Sequence, residues 1–501
     1  MSGRDHLLIS GGLVVAPQSG SADRKDLLIR NGRIAQIGAP DTVNGTDVAR
    51  FDARDRLIAP GLINAHTHGH ANLVKGVAEG WTLEASLTNG PWLAGTRDPE
   101  TMYLSTLLGA IDMLSKGCTA CFDLVYEFPR PTRQGFMAVA RAYADAGMRA
   151  VLAPMVADRS LFQSIPGLVE ALPPDLAETV RKFALASGEQ TIAAIESIAM
   201  AQGEMPDGIT LAIAPTIPHH CSERFLRDCM DIADHHRLPI HMHIAESRLQ
   251  AVVARKIYGR SAVRHLADLG MLRPNFTAAH GVWLDDDDLD LLAAHGCSVA
   301  HIPASNYRLG SGVAHVRPML ARGINVGLAT DGANSSDSLS MLQAMRLASF
   351  SARIFAGPRE DWLTSGEVVR LATVGGAKIL GLDGCGRLEP GACADLVLFD
   401  LGHVDFIPDT DPVNQLVTCA DSASVTDVMV GGAFKLRDRK VISVDTSNLR
   451  DRVRDSVAKL AAATGPARIL AARLEPHVVA FAQSMSSERL PFERRIQPGL
   501  G

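Results

Sequence analysis

Short apolar runs alternate with longer amphipathic stretches through the middle of the chain. The first resumes after a break at Pro60-Gly61 as Leu62-Ile63 and leads into Asn64-Ala65-His66-Thr67-His68. Others follow at 118–122, 150–154, 209–213, 240–243, 276–280, 298–302 and 324–328. Each is strand-length, and most are separated by helix-length intervals, which predicts repeated βα units. Eight such units over 59–384 predict an α/β fold closed as a (β/α)8 TIM-like barrel. A doubly wound open sheet fits less well, because no Gly-rich phosphate loop follows the first run.

The two ends read differently. Residues 7–58 alternate and turn like β structure, with Asn31-Gly32 between the runs 27–29 and 34–37, a strong hairpin signal. This segment is too short for a core of its own, and its complement lies at 394–399 and 425–432. A small β-sandwich domain built from 1–58 together with 385–445 is therefore expected. From 446 to 501 a helical appendage is expected, with helical spacing at Leu449, Val453, Val457, Leu460 and Ala461. It is expected to become irregular around Pro466 and Pro476, and to serve as a surface appendage or oligomer contact.

Composition narrows the class. The chain has 501 residues, 47% hydrophobic and 21% charged, enough for a large core. A net charge of -6 and the lack of a basic cluster argue against nucleic acid or membrane partners. Eight scattered Cys form no disulfide framework, so free thiols in a reducing compartment are expected. Residues 1–6 carry no apolar leader, and no run of about 18 apolar residues predicts a membrane span. The expectation is a cytoplasmic homo-oligomer, a dimer or tetramer, acting on a small molecule.

The candidate chemistry sits where the apolar runs end. His66 and His68, at i and i+2, share one face of a strand and can aim two imidazoles at one ion; imidazole suits zinc and iron. His243, His280 and Asp331 end three further runs. In a barrel the carboxyl ends of the strands converge on one mouth, so these five become neighbours.

These motifs together resemble the amidohydrolase superfamily: Pro60-Gly61-Leu62-Ile63-Asn64-Ala65-His66-Thr67-His68, His243-Ile244-Ala245-Glu246, Ala279-His280-Gly281-Val282, Thr330-Asp331-Gly332 and 301–309. Within it, they resemble the single-metal branch of cytosine-deaminase-like and S-adenosylhomocysteine-deaminase-like (chlorohydrolase) enzymes. The resemblance implies that His66, His68, His243 and Asp331 bind one divalent metal, zinc or alternatively iron. It also implies that Glu246, His280 and Asp331 are catalytic. Such a donor set leaves a coordination position for water, and a cation there lowers the water's pKa towards about 7. Asp331 is then placed to take a proton, Glu246 to pass one to a ring nitrogen or leaving group, and His280 to orient the reacting water.

The resulting expectation is hydrolytic deamination of an aminated heterocycle, with hydrolysis of an amide, urea or carbamate bond as the alternative. Substrate contacts are less fixed. Where close relatives carry a histidine after the fourth strand's Ala-Pro, this chain has Thr216, and His219 or His220 can take over. Trp81 and Trp92 are candidates for lining a pocket, and Asn306 for touching substrate. Cys118 and Cys121, at i and i+3 on a strand, are expected to be core thiols. Asp285 to Asp288 are expected to open a helix, where carboxylates meet the positive end of the dipole.

Overall fold

The computed structural model describes residues 6–43, 48–95, 97–183, 185–355 and 358–492. Residues 1–5, expected to lack a leader, and 493–501, the end of the expected appendage, lie outside them. So do 44–47 within the N-terminal β segment.

A ring of parallel strands occupies the middle of the chain. Leu62–His68 pairs with Cys118–Val125, and that strand with Arg149–Val156. The fourth position is split into Ile209–Leu211 and Ala214–Pro215, both beside the third strand, with Ile213 bridging to Ile240. Ile240–Ile244, Phe276–His280, Ser298–His301 and Asn325–Leu328 continue the order. Asp331 then pairs with Thr67 and Gly332 with His68, which closes the barrel. Helices such as Pro99–Leu114, Arg133–Ala146 and Glu223–His236 supply the outer layer.

Small side chains fill the inside. Ala65, Ala120, Ala153, Ala214, Ala279 and Ala300 pack around Ile63, Phe122 and Val151 in one buried cluster. Counting alternately from Ile63 and Ala65 would turn His66 and His68 outward. A register shift between Asn64 and Thr67 in the pairing with the second strand interrupts that alternation. The irregularity re-aims both imidazoles at the barrel axis, a known use of bulges beside active sites.

The ends of the chain meet in one sheet. Arg56–Pro60 runs antiparallel to Leu396–Asp400, with Leu396 opposite Pro60 and Asp400 opposite Arg56. On one side follow Val425–Val430, Ala433–Arg437 and Lys440–Val441; on the other, His6–Ala16, Ser21–Arg30 and Arg33–Gly38. The last two are joined through Asn31 and Gly32, both at positive φ (50° and 74°), as a primed two-residue turn requires.

The C-terminal segment differs from expectation. Leu449–Ser486 is one helix of 38 residues that runs straight through Pro466 and Pro476. Each internal proline costs about 3 kcal/mol of helix stability. Burial of a stripe through Leu460, Ala471, Leu474, Val478, Ala482 and Met485 offsets that cost. Cys118 and Cys121 are both buried thiols, and Asp285 caps the Asp286–Ala294 helix through a capping box with Asp288. Among the described residues no helix is long and apolar enough to cross a membrane.

Candidate active site

The strand ends do converge. Ligand atoms of His66, His68 and His243 all lie within 4.8 Å of one another, and so do those of Glu246, His280 and Asp331. His68 Nε2 and His66 Nε2 stand 3.1 and 3.5 Å from Asp331 Oδ1. His68 Nε2 and His243 Nε2 are 3.4 Å apart.

Each imidazole is held from behind by its other nitrogen. His68 Nδ1 donates to Leu124 O at 3.0 Å, and His243 Nδ1 to Thr216 O at 2.9 Å. His66 Nδ1 meets His241 Nε2 at 3.0 Å, with the Phe122 ring 4.4 Å beyond. The two carbonyl anchors place the ring protons of His68 and His243 on Nδ1 and leave their Nε2 lone pairs pointing at one volume together with His66 Nε2, the arrangement by which proteins fix metal-binding histidines. His66 Nε2 is buried without a hydrogen-bond partner. Burial, then neighbouring His280 and His68, push the His243 pKa down to about 3, so it is a neutral donor. Burial disfavours a charge on His68, but Asp331 outweighs it and raises the pKa, so the cluster attracts positive charge at its centre. Three neutral-capable imidazoles and a carboxylate fit a divalent cation of the zinc or iron type.

The remaining groups stand beside this centre. Asp331 Oδ2 accepts from Ser305 Oγ at 2.6 Å, which leaves Oδ1 to face the histidines. His280 Nδ1 donates to Asn306 Oδ1 at 2.9 Å, and its Nε2 lies 3.7 Å from Glu246 Oε2. Burial, then the charges of Asp331 and Glu84, hold the Glu246 carboxyl well above the usual range. Ala245, His280 and Asp331 have φ of 49°, 68° and 68°. Non-glycine residues in this left-handed region at three strand ends are local strain of the kind found at active sites.

A cavity of about 240 Å³ opens on the cluster. His70, Tyr126, Thr216 and His220 give it polar wall, and Leu87, Phe162 and Phe183 apolar wall. Thr216 is thus where the sequence expects it. His220, not His219, joins the lining; both are buried, and His220 Nε2 has no hydrogen-bond partner. Asn306 is fully buried behind His280 and positions that ring instead of lining the cavity. Trp81 and Trp92 are not in the lining either. They meet edge to face at 6.3 Å, and the Trp92 indole donates to Asn89 Oδ1 at 2.6 Å while packing on Ala471 of the C-terminal helix. An apolar face turned to the long helix wins over exposure to the cavity. His241, which the strand-end pattern does not single out, forms a second H-x-H, His241-Met242-His243, and backs His66.

The amidohydrolase family model matches residues 57–434. The 5′-deoxyadenosine deaminase of Methanothermobacter thermautotrophicus is 31% identical over 458 residues, 91% of this chain and 99% of that one. A 5-methylthioadenosine/S-adenosylhomocysteine deaminase of Symbiobacterium thermophilum is 32% identical, with the same coverage. Among solved structures, an adenosine deaminase from Xanthomonas campestris with bound zinc superposes with a TM-score of 0.77 at 26% identity, covering 91% of this chain and 98% of that one. An atrazine chlorohydrolase from Arthrobacter aurescens, complexed with zinc, shares the fold with a TM-score of 0.80 at 24% identity, covering 90% of this chain and 100% of that one. With its strand-end donors, its closed barrel and these relatives, the chain belongs to the amidohydrolase family, enzymes that hydrolyse carbon–nitrogen bonds.

Proposed function

We propose that the hydrolytic deamination performed by this enzyme removes the exocyclic amine of an adenine nucleoside, with one zinc ion held by His66, His68, His243 and Asp331. The observation that carries the chemistry is Glu246, buried 3.7 Å from His280 and clustered with Asp331 at the head of the cavity. When bound, the cation supplies the Lewis acidity that brings a water's pKa down towards about 7.

The chain's own groups do the rest. Asp331, steadied by Ser305, accepts the proton that the attacking water loses. Glu246 delivers its proton to the ring nitrogen beside the amine-bearing carbon, which lets that carbon take up the nucleophile. His280, with Nδ1 committed to Asn306, presents Nε2 to the oxygen being added and orients it. Asp331 then gives the water's proton to the departing amine, Glu246 regains its own from the added hydroxyl, and the carbon–nitrogen bond breaks to release ammonia. The apolar walls exclude bulk water, and Thr216 and His220 offer hydrogen bonds to the nucleoside.

Deaminases acting on 5′-modified adenosines among the relatives favour a nucleoside over a free base. Ammonia release from adenosine, 5′-deoxyadenosine and methylthioadenosine should exceed that from cytosine, guanine and aminotriazines. Turnover confined to amides, ureas or carbamates would replace this substrate assignment with the amide-hydrolase alternative.

A further inference from the structure

The family match ends at residue 434, before the Leu449–Ser486 helix begins. That helix grips two segments that line the cavity and a third that follows Glu246. The first is the Leu83–Ala94 helix, which turns Leu83, Leu87 and Leu93 to the cavity. The same helix carries Asn89, whose Nδ2 donates to Glu475 Oε2 at 2.8 Å and whose Oδ1 accepts the Trp92 indole N–H. Arg468 lies 5.0 Å above the Trp92 ring. The second segment includes Leu161 and Phe162, also in the cavity wall, packed with Val478, Ala482 and Met485. The third is the Arg248–Tyr258 helix, where Arg248 donates to Ser486 O and Glu488 O at 2.5 and 2.8 Å. It starts two residues after Glu246, and Ser247 Oγ donates to Glu84 Oε1 at 2.9 Å, tying it to the first segment.

We propose that Glu475 is a positioning residue that fixes the outer wall of the cavity through Asn89 and Trp92, and that the C-terminal helix thereby sets the length of substrate admitted. Asn89 is buried, and its amide protons are divided between Ala85 O and Glu475. Removing the carboxylate leaves a buried donor unsatisfied, and its relief is movement of the Leu83–Ala94 helix. The helix contacts the reacting groups only indirectly, so displacement changes the room for the 5′ substituent before it changes the chemistry. This inference rests on the adenine-nucleoside assignment for its choice of substrates.

The test compares the full-length zinc enzyme with its Glu475→Gln, Glu475→Leu and Glu475→Leu/Arg468→Ala variants. Substrates are 5′-deoxyadenosine, methylthioadenosine and S-adenosylhomocysteine, in order of increasing length. In the two Leu variants, kcat/KM for the longest relative to the shortest should rise about tenfold, the scale on which apolar pockets discriminate by size. The change should lie in KM, with kcat on 5′-deoxyadenosine and metal content held. Glu475→Gln keeps an acceptor for Asn89 and should behave as wild type. Equal losses on all three substrates, or a Gln variant as altered as the Leu one, would overturn the proposal. Amide hydrogen exchange at 83–94, read without substrate, should quicken in the Leu variants and not in the Gln variant. If wild type turns over none of the three nucleosides, the substrate assignment falls, while unchanged exchange at 83–94 would overturn the role of Glu475 separately.

Discussion

His68 and His243 bring their Nε2 atoms to 3.4 Å of each other while each anchors Nδ1 on a backbone carbonyl. Two lone pairs that close repel, and a cation held by His68 and His243 would relieve that repulsion. Metal binding and folding stability are therefore linked. Chelation of the purified enzyme should abolish activity and lower Tm, and stoichiometric zinc should restore both. Elemental analysis should find one transition metal per chain, and none in His243→Ala. A Tm indifferent to chelation, or two metals per chain, would contradict the four-donor site.

The next residue along from His68 is clamped. Gly69 N donates to Asp123 Oδ1 at 2.8 Å, while Tyr143 O–H donates to Oδ2 of the same buried carboxylate at 2.8 Å. A Cβ at Gly69 would fall 2.4 Å from that Oδ2. Gly69→Ala must displace the carboxylate from Tyr143 or tilt the His68 strand end. Overpacking of this kind costs about 1–3 kcal/mol, and disturbing the support of a ligand weakens metal binding by about 10–100-fold. Denaturant titration and competitive zinc titration should show both losses. Normal zinc affinity in a destabilised variant would restrict the clamp to a structural role.

The strand-end residues His66, His68, His243, His280 and Asp331 were legible because each closes an apolar run, and a barrel brings such ends together. The closing pair Arg56–Pro60 with Leu396–Asp400 followed from two β-like ends that could not each bury a face alone. What stayed hidden depended on contacts rather than patterns. Nothing in 64–67 announces the register shift that turns the imidazoles inward. Trp81 and Trp92 looked like pocket walls, because the partner that covers them is nearly 400 residues away in a helix expected to break at its prolines. Adjacent His219 and His220 cannot be told apart without the turn at Pro218–His220, which puts only the second in the cavity lining.

Buried neutral histidines give the fold an acid limit. Burial pushes the pKa of His220 from 6.5 down to about 4, and that of His301 down to about 3, with His280 adding to the latter. Above pH 6.5 neither the folded nor the unfolded form is protonated at these sites, and they contribute nothing to pH dependence. Below it the unfolded chain takes up protons that the folded one refuses, so stability falls as pH drops towards 4. For His220 alone the full loss is about 3 kcal/mol. Urea denaturation of the zinc enzyme across this range should show a shallower decline for His220→Gln than for wild type. Parallel curves would mean that the ring is already solvated in the folded state.

Glu246 and Asp331 are two carboxyls in one pocket with opposed environments. Burial, then Asp331 and Glu84, hold the Glu246 carboxyl well above its usual range. Burial also works against charge on Asp331, but the neighbouring His66 and His68, whose Nε2 atoms stand 3.5 and 3.1 Å from Oδ1, outweigh it and hold its carboxyl well below the usual range. Environments that push two titratable groups apart assign the acid and the base. Glu246→Gln keeps the shape and a hydrogen-bond donor but holds no transferable proton, so kcat should fall by about 10²–10⁴-fold. Metal content should stay full, because the substitution leaves His66, His68, His243 and Asp331 untouched and keeps the side chain's shape. Asp331→Asn should lower turnover and zinc content together, since Oδ1 faces both His66 and His68. Wild-type kcat/KM should decline as rising pH takes the proton from Glu246, and Glu246→Gln should lose that alkaline limb. A Gln variant that lost its zinc, or one that kept both near-normal turnover and the limb, would remove Glu246 from the role of proton donor.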